Sequence, residues 1–382
     1  MGVMHKLTKS DYFPVFVACL SLFALGWMDN ARGPFFPLFL EATGESSSKG
    51  ALFFAVASFV AILSSAVAGL VLEKFGLKKL LLFGGLAMGL SPLGLAYLPT
   101  LQGALVTAFL FGTGLGWVAV GQNILISLVK KVELRRQLFA LLHCFYALAA
   151  MTAPLTILKL KSVLPWNWLL IGVLVLTVPF VFSLMFLTEE KQEVHVEKIK
   201  PPPLSDFWVL IWVLFLSFYI SSELILSTRL VVFTQGFGLS FTEASQHLFL
   251  FFLSMFMIRL LFFFVKLPVS ALKILLVCLL SALVFLFLGY NVSTYFFALV
   301  GASMGPVFPV VMDEMSHMWP ERFDVLVARV IALSSMFVVT AHMGVGRLTD
   351  VYGIEKAMYA VPVLICMALV ILMTGMVKKS KR

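Results

Sequence analysis

Two carboxylates stand where a carboxylate is costly. Asp29 lies seventeen residues into an apolar stretch that starts near Tyr12, and Glu223 lies seventeen residues into another that starts near Asp206. A charge at bilayer depth costs roughly 2.5–3.5 kcal/mol on insertion scales, so an acid held there faces a cavity or a partner. The chemistry open to such a group is proton exchange: loss of an opposite charge beside it, together with burial, moves its pKa upward. Arg32 follows Asp29 by one helical turn, on the same face. Arg229 follows Glu223 by six residues, a poor spacing for a pair within one helix, so cross-pairing between the two stretches is the alternative. Asp29 is the first candidate for a proton carrier and Glu223 the second. A static ion pair that only fixes helix packing is the competing account of both.

Other polar groups inside apolar stretches are candidates for binding. Gln122 and Asn123 bring adjacent amide donors and acceptors suited to hydroxylated ligands, although the same groups serve as hydrogen-bonded glue between helices. Asn30, beside Asp29, has the same standing. His143 and His342 could change charge near neutral pH, against the commoner outcome of a satisfied buried imidazole. With the cations Arg32 and Arg229, the candidate binding set is Asn30, Arg32, Gln122, Asn123, His143 and Arg229. Trp27, Trp117, Phe145 and Tyr146 flank these positions and could stack on a sugar face. Arg259 and Arg329 stand near the ends of their stretches, where snorkelling accounts for them.

These groups must be positioned by helices that cross a bilayer. Of 382 residues, 61% are apolar and 12% charged, about half the charge of an ordinary soluble domain. Twelve apolar stretches, each near the roughly 20 residues a span needs, separate at charged or Gly/Pro clusters. They run over 12–39, 48–72, 77–98, 101–129, 135–158, 167–187, 205–235, 240–265, 271–290, 293–315, 323–348 and 354–377. The one sizeable hydrophilic segment divides them into two sets of six: an N-terminal bundle over 1–187, a linker over 188–204 and a C-terminal bundle over 205–382. The expected fold is an all-α integral membrane protein with 12 transmembrane helices in two six-helix bundles.

Orientation follows from the Lys/Arg bias of the loops. With the N-terminus inside, 19 of the 28 Lys and Arg fall on inner segments, 5 on outer loops and 4 within spans. Both termini are therefore expected in the cytoplasm, and the net charge of +9 reports topology rather than nucleic-acid binding. The first stretch runs on without a small-residue cleavage site, so it reads as a membrane helix rather than a signal peptide. Cys19, Cys144, Cys278 and Cys366 stand alone, without metal-ligand spacing.

Between the second and third stretches runs Gly69-Leu-Val-Leu-Glu73-Lys74-Phe-Gly76-Leu-Lys78-Lys79. An acid at one helix end facing bases on the next makes a breakable lock between halves that rock apart. Gly69, Glu73, Lys74, Gly76 and Lys78 are the candidate lock, with positive-inside anchoring as the simpler account of Lys78 and Lys79. The string resembles the G-x-x-x-D-R/K-x-G-R/K-R/K pattern of the major facilitator superfamily, with Glu73 for the Asp and Leu77 for one base. The six-plus-six arrangement is similar to that superfamily as well. A like-looking string, Gly346-Arg-Leu-Thr-Asp350-Val-Tyr-Gly353, falls outside by this topology and is not expected to be a second copy of the inner motif. Small residues recur at matching places in the halves, as Gly112-x-x-x-Gly116 and Gly301-x-x-x-Gly305, a spacing that lets helices approach closely.

Short strings in both halves resemble the fucose–galactose–glucose:proton symporter branch. They include Gly26-Trp-Met-Asp29-Asn-Ala-Arg-Gly33-Pro, Leu142-His143 and Tyr219-Ile-Ser-Ser-Glu223. The resemblance implies proton coupling at the first-span acid, here Asp29, and sugar contacts from the fourth span, here Gln122 and Asn123. Ser221 and Arg229 depart from that branch's glycine and tryptophan, and the cations Arg32 and Arg229 raise an organic anion as the rival cargo.

The expected function is secondary active transport by alternating access, with proton-coupled movement of a small polar solute such as a sugar. The alternative is a carrier or exporter of an organic anion or amphipathic drug-like compound. The coupling ion is a proton, with sodium as the other candidate. No HExxH or GxxxxGK[ST] string occurs, so neither an enzyme nor ATP-driven transport by this chain is expected, nor any cofactor. A monomer in the lipid bilayer of an inner or plasma membrane completes the expectation.

Overall fold

With no water in the hydrocarbon core, backbone N–H and C=O groups are satisfied within the segment that carries them, and in an open chain that means a helix. The computed structural model describes residues 9–127, 129, 132–187, 203, 205–264, 269–319 and 323–380, and the regular elements among them are all helical. The N-terminal part contains α1 (Lys9–Thr43), α2 (Ser47–Leu90), α3 (Pro92–Tyr97), α4 (Leu101–Ser127), α5 (Val132–Leu160) and α6 (Gly172–Ser183), with 3-10 turns at Trp166–Ile171 and Leu184–Phe186. The C-terminal part contains α7 (Phe207–Gly236), α8 (Phe241–Phe264), α9 (Ala271–Asn291), α10 (Phe296–Met304), α11 (Val307–Met318), α12 (Phe323–Tyr352), α13 (Ile354–Ala357) and α14 (Ala360–Ser380). Among the described residues, 11 stretches are long and apolar enough to cross a membrane.

The second of these stretches, Ser47–Tyr97, is 51 residues long, and it breaks at Gly76 (φ 80°, ψ 168°). One helix ends there and the next begins without a loop, in a backbone conformation that glycine adopts without strain. Gly353 has nearly the same values (φ 82°, ψ 160°) where α12 gives way to α13. The residues ahead of the two glycines share a spacing, Gly69 to Glu73 to Gly76 and Gly346 to Asp350 to Gly353. The expected topology sets the second string apart; its backbone turn is the same.

Helix starts follow local chemistry. Asp206 caps α7, accepting from the Trp208 and Val209 amides at 2.8 and 3.3 Å. Ser240 and Glu243 form a reciprocal capping box on α8: the Ser240 amide donates to Glu243 at 2.9 Å, and the Glu243 amide donates back to the Ser240 hydroxyl at 3.3 Å.

The chain divides into two compact units, Met1–Gln192 and Glu193–Arg382. In the first, α2 lies along α4 and α1 along α5. Gly112 and Gly116 make the α2–α4 crossing close, since a Cβ on either would run into the Ala57 or Ala61 carbonyl. In the second, α12 and α14 both pack on α7. Gly301 and Gly305 do for α10 what the first pair does for α4: an added Cβ would meet the Phe251 carbonyl and Ile258 on α8.

One predicted span differs in form. The stretch 293–315 forms two hydrogen-bonded helices, α10 and α11, that meet at Gly305 and Pro306, both of which keep right-handed helical angles. Pro306 and Pro309 have no N–H, so the carbonyls of Ala302 and Gly305 lose their helical donors.

Candidate functional site

In the first unit the polar centre is built on α1. Arg32 reaches back one turn and its Nη2 pairs with Asp29 Oδ1. The other Asp29 oxygen accepts from the Tyr146 hydroxyl of α5 at 2.7 Å. Three rings surround the guanidinium: its central carbon lies 4.8 Å from the Phe111 centroid, 5.2 Å from Phe54 and 5.9 Å from Phe53. Arg32 is 5% exposed, and its Nη1 is buried with no hydrogen-bond acceptor. An ionised Asp29 thus has a donor for each oxygen, and the cation is stabilised by one anion and three π faces. Gly26 is what lets Tyr146 approach, since a Cβ there would lie 2.9 Å from the Tyr146 ring.

A second polar contact lies about 12 Å along α1, at 1.5 Å per residue. The Ser21 hydroxyl donates to Gln122 Oε1 of α4 at 3.2 Å. Phe111 sits over Arg32 and Gln122 over Ser21, which fixes the antiparallel register of α1 and α4. Gln122 is buried, whereas its neighbour Asn123 is exposed and donates to the Ala119 carbonyl at 2.8 Å. Asn30 is buried and donates to the Gly26 carbonyl at 2.8 Å. His143 is exposed. Trp27, expected as a stacking surface, is instead a core residue: it is buried, and Gly172 is shaped to its ring.

In the second unit the centre is Glu223 on α7. Its partner is not Arg229, and the expectation that Arg259 merely snorkels is corrected. The α7–α8 crossing brings Arg259 Nη2 to 3.9 Å from Glu223 Oε1, and Arg259 Nε donates to the Gly305 carbonyl at 2.9 Å. That is the carbonyl left without a helical donor by Pro309. Tyr219, one turn before Glu223, puts its hydroxyl against Glu223 Oε2 and also 2.8 Å from the Met304 carbonyl. The α10–α11 junction therefore presents two successive carbonyls to this cluster. Sequence spacing carries no hint of Arg259, because the contact depends on how two helices cross. Proline at 309 is the available signal.

Arg229 lies elsewhere on α7, 1% exposed. Its Nη1 is 3.1 Å from His342 Nδ1, and its Nη2 donates to the His342 carbonyl at 3.2 Å. At the Gly76 turn, Glu73 and Lys74 are exposed, Lys74 lies 5.2 Å from the Phe75 ring centroid, and Gly69 has open space around it. Glu73 makes no ion pair among the described residues. Lys78 Nζ donates to the Met185 and Leu187 carbonyls at 3.4 Å each, tying the second arm of α2 to the end of the sixth predicted span. Among the described residues no cluster of His, Cys, Asp and Glu could hold a metal.

Long apolar helices that bury ionisable side chains beside a helix junction define a polytopic membrane protein with polar sites inside its spans. The sequence profile of the Major Facilitator Superfamily matches residues 18–328, and the chain belongs to that family of membrane transporters. No curated relative matches the sequence. Among solved structures, the fold is similar to that of a D-xylose-proton symporter, with a TM-score of 0.76 at 13% identity, covering 95% of this chain and 96% of that one. It is also similar to the human organic anion transporter MFSD10 (TETRAN), with a TM-score of 0.71 at 16% identity, covering 96% of this chain and 100% of that one.

Proposed function

We propose that this transporter moves a small polar solute, such as a sugar, in a proton-coupled cycle of alternating access. The observation that carries the reading is how its intramembrane cations are held. Arg32 lies against Asp29 and three phenyl rings, Arg259 faces Glu223 and the Gly305 carbonyl, and Arg229 is buried on His342. Each already has a partner within its own unit, which weighs against an anionic cargo. A neutral hydroxylated solute calls for amides and imidazoles instead. We assign Asn123, Gln122, Asn30 and His143 to it, with Arg32 acting through its Asp29 pair and Arg229 through its hold on His342. Asp29 and Glu223 are the coupling acids; sodium is the other candidate ion.

In this reading the two arms that meet at Gly76 are separate crossings, giving twelve spans in two six-helix bundles, 1–187 and 205–382. The linker 188–204 and both termini face the cytoplasm of a cell whose inner or plasma membrane holds the protein as a monomer. Gly69, Glu73, Lys74, Gly76 and Lys78 form the lock that opens and closes during the cycle. A second reading, a carrier or exporter of an organic anion or amphipathic drug-like compound, draws on the similar fold of an organic anion transporter.

Thermal unfolding of the detergent-purified protein against panels of hexoses, pentoses, organic anions and cationic drugs tests the choice. A ligand that binds only the folded state raises stability by RT ln(1+[L]/Kd). Stabilisation by a sugar supports the first reading, and stabilisation by anions alone replaces it with the second.

A further inference from the structure

Away from the buried carboxylates, the second arm of α2 and α6 leave a groove of about 420 Å³ between them, within the roughly 300–1,000 Å³ of small-ligand pockets. Its floor is glycine. A Cβ on Gly85 would lie 2.8 Å from the Phe180 ring, and one on Gly89 would lie 3.0 Å from Thr177 Cγ2, so the two helices touch there directly. Beside that contact the glycines have no side chain to fill the space. A trough remains, walled by Leu82, Leu86 and Leu90 on one side and by Val178, Phe182 and Met185 on the other. From Lys78 to Leu90 it follows one face of α2 for about 18 Å, at 1.5 Å per residue. Leu86, Leu90, Val178, Phe182 and Met185 are 42–69% exposed, so no helix lies over the trough and it opens sideways, where hydrocarbon chains reach it.

The trough is polar at one end only. Thr177 spends its hydroxyl hydrogen on the Val173 carbonyl at 2.6 Å, which leaves Lys78 as the one lining side chain with hydrogens to offer. Lys78 is also held in place. After α6 the chain makes the 3-10 turn Leu184–Phe186, and the Met185 and Leu187 carbonyls accept from Lys78 Nζ at 3.4 Å each. Carbonyls at a helix end have no donor inside the helix and carry its negative pole. Snorkelling alone would send the ammonium out to water; here it is folded back onto the end of α6. The two carbonyls answer two of its three hydrogens, and among the described residues no carboxylate pairs with its charge.

We infer that this groove binds an anionic phospholipid, with one acyl chain along the trough and the headgroup phosphate on the third hydrogen and the charge of Lys78. An apolar channel with a single fixed cation at one end matches an amphiphile whose charge is negative. A sugar finds nothing to hydrogen-bond along the walls, and a cationic amphiphile meets a like charge. A zwitterionic lipid fills the trough equally well but brings a positive group of its own to Lys78. Lys78 follows the Gly76 turn by two residues, so a lipid held there ties the composition of the surrounding leaflet to the turn that carries the proposed lock. Binding itself depends neither on the cargo nor on that lock.

Native mass spectrometry of the full chain, stripped of lipid in detergent, tests the assignment. Titration with dioleoyl phosphatidylglycerol or dioleoyl phosphatidylcholine reads the first lipid bound, and because the acyl chains are the same, the ratio of affinities isolates the headgroup. The parent should prefer phosphatidylglycerol about fivefold, the share of one lysine near an anionic headgroup. Lys78→Gln should bring the ratio close to one, and Lys78→Arg should keep it. Lys79→Gln, a neighbour whose side chain does not line the groove, should leave it unchanged. Val178→Trp, which enlarges an exposed wall residue, should weaken both lipids alike. A parent without headgroup preference would overturn the inference, as would equal losses in Lys78→Gln and Lys79→Gln, which would reduce both lysines to general surface anchoring. Displacement of phosphatidylglycerol by sodium phosphate with no effect of Val178→Trp would make Lys78 a free-anion site instead. A dimer that Val178→Trp dissociates would give the groove to a second copy of this chain and overturn the inference too. Should Lys78→Gln lose the end of α6 and fail to fold, the other variants still decide: preference lost in Lys79→Gln, or full binding in Val178→Trp, refutes the site.

Discussion

Asp29→Asn preserves the size of the side chain and an oxygen for the Tyr146 hydroxyl, and removes only the charge. Arg32 would then sit 5% exposed among three phenylalanine rings with no anion beside it. Removing one member of a buried ion pair costs about 3–5 kcal/mol, because the remaining charge is left desolvated. The Asp29 side chain is 17% exposed, and the rings still stabilise the cation by about 0.5–2 kcal/mol. Both effects put the expected loss near the lower end, about 3 kcal/mol. Adding Arg32→Gln removes the stranded charge, so the double variant should regain at least about 1 kcal/mol over Asp29→Asn alone. Reversible unfolding in mixed detergent micelles, with parent, both single variants and the double variant compared as a cycle, measures each term. A single variant within about 0.5 kcal/mol of the parent, the range of an ordinary surface change, would show that the pair does not fix α1. Strictly additive losses would show the same.

Glycine positions separate backbone strain from packing. Gly76→Ala should lose about 1–2 kcal/mol because φ there is positive, whereas Gly69→Ala, with open space around it, should change stability by no more than about 0.5 kcal/mol; unfolding curves of the two variants compare them directly. Gly301→Ala drives a methyl into the Phe251 carbonyl and should cost about 1–3 kcal/mol or more, measured in the same way. Asn123→Ala should abolish thermal stabilisation by whichever sugar stabilises the parent while leaving the unliganded melting temperature nearly unchanged; undiminished stabilisation would remove Asn123 from the binding set.

Local spacing makes part of this arrangement legible in the amino-acid sequence. Arg32 one turn beyond Asp29 can meet it on a single helix, and it does. The paired Gly-x-x-x-Gly strings point to close crossings, and both occur. Contacts set by the crossing of distant segments are not legible in that way: Arg259 reaches Glu223 because α7 and α8 cross there, while Arg229, much nearer in sequence, points to His342. Trp27 resembles a ligand platform because its type suits one, but an aromatic side chain beside a glycine on a neighbouring helix is more simply packing. The junction between α10 and α11 is written in Pro306 and Pro309, yet its meaning depends on which side chains lie across from the bared carbonyls.

That junction also sets a limit on how the protein can be improved. Pro309→Ala would return an N–H to the position four residues after Gly305, and the repaired helix bond would compete with Arg259 for the same carbonyl. A selection for heat resistance alone would favour such a repair, since regularising a helix is among the easiest ways to gain stability. The variant it delivered would be sturdier, and its arginine would share its carbonyl with a backbone amide. Survival on heating and performance in transport would then pull this proline in opposite directions.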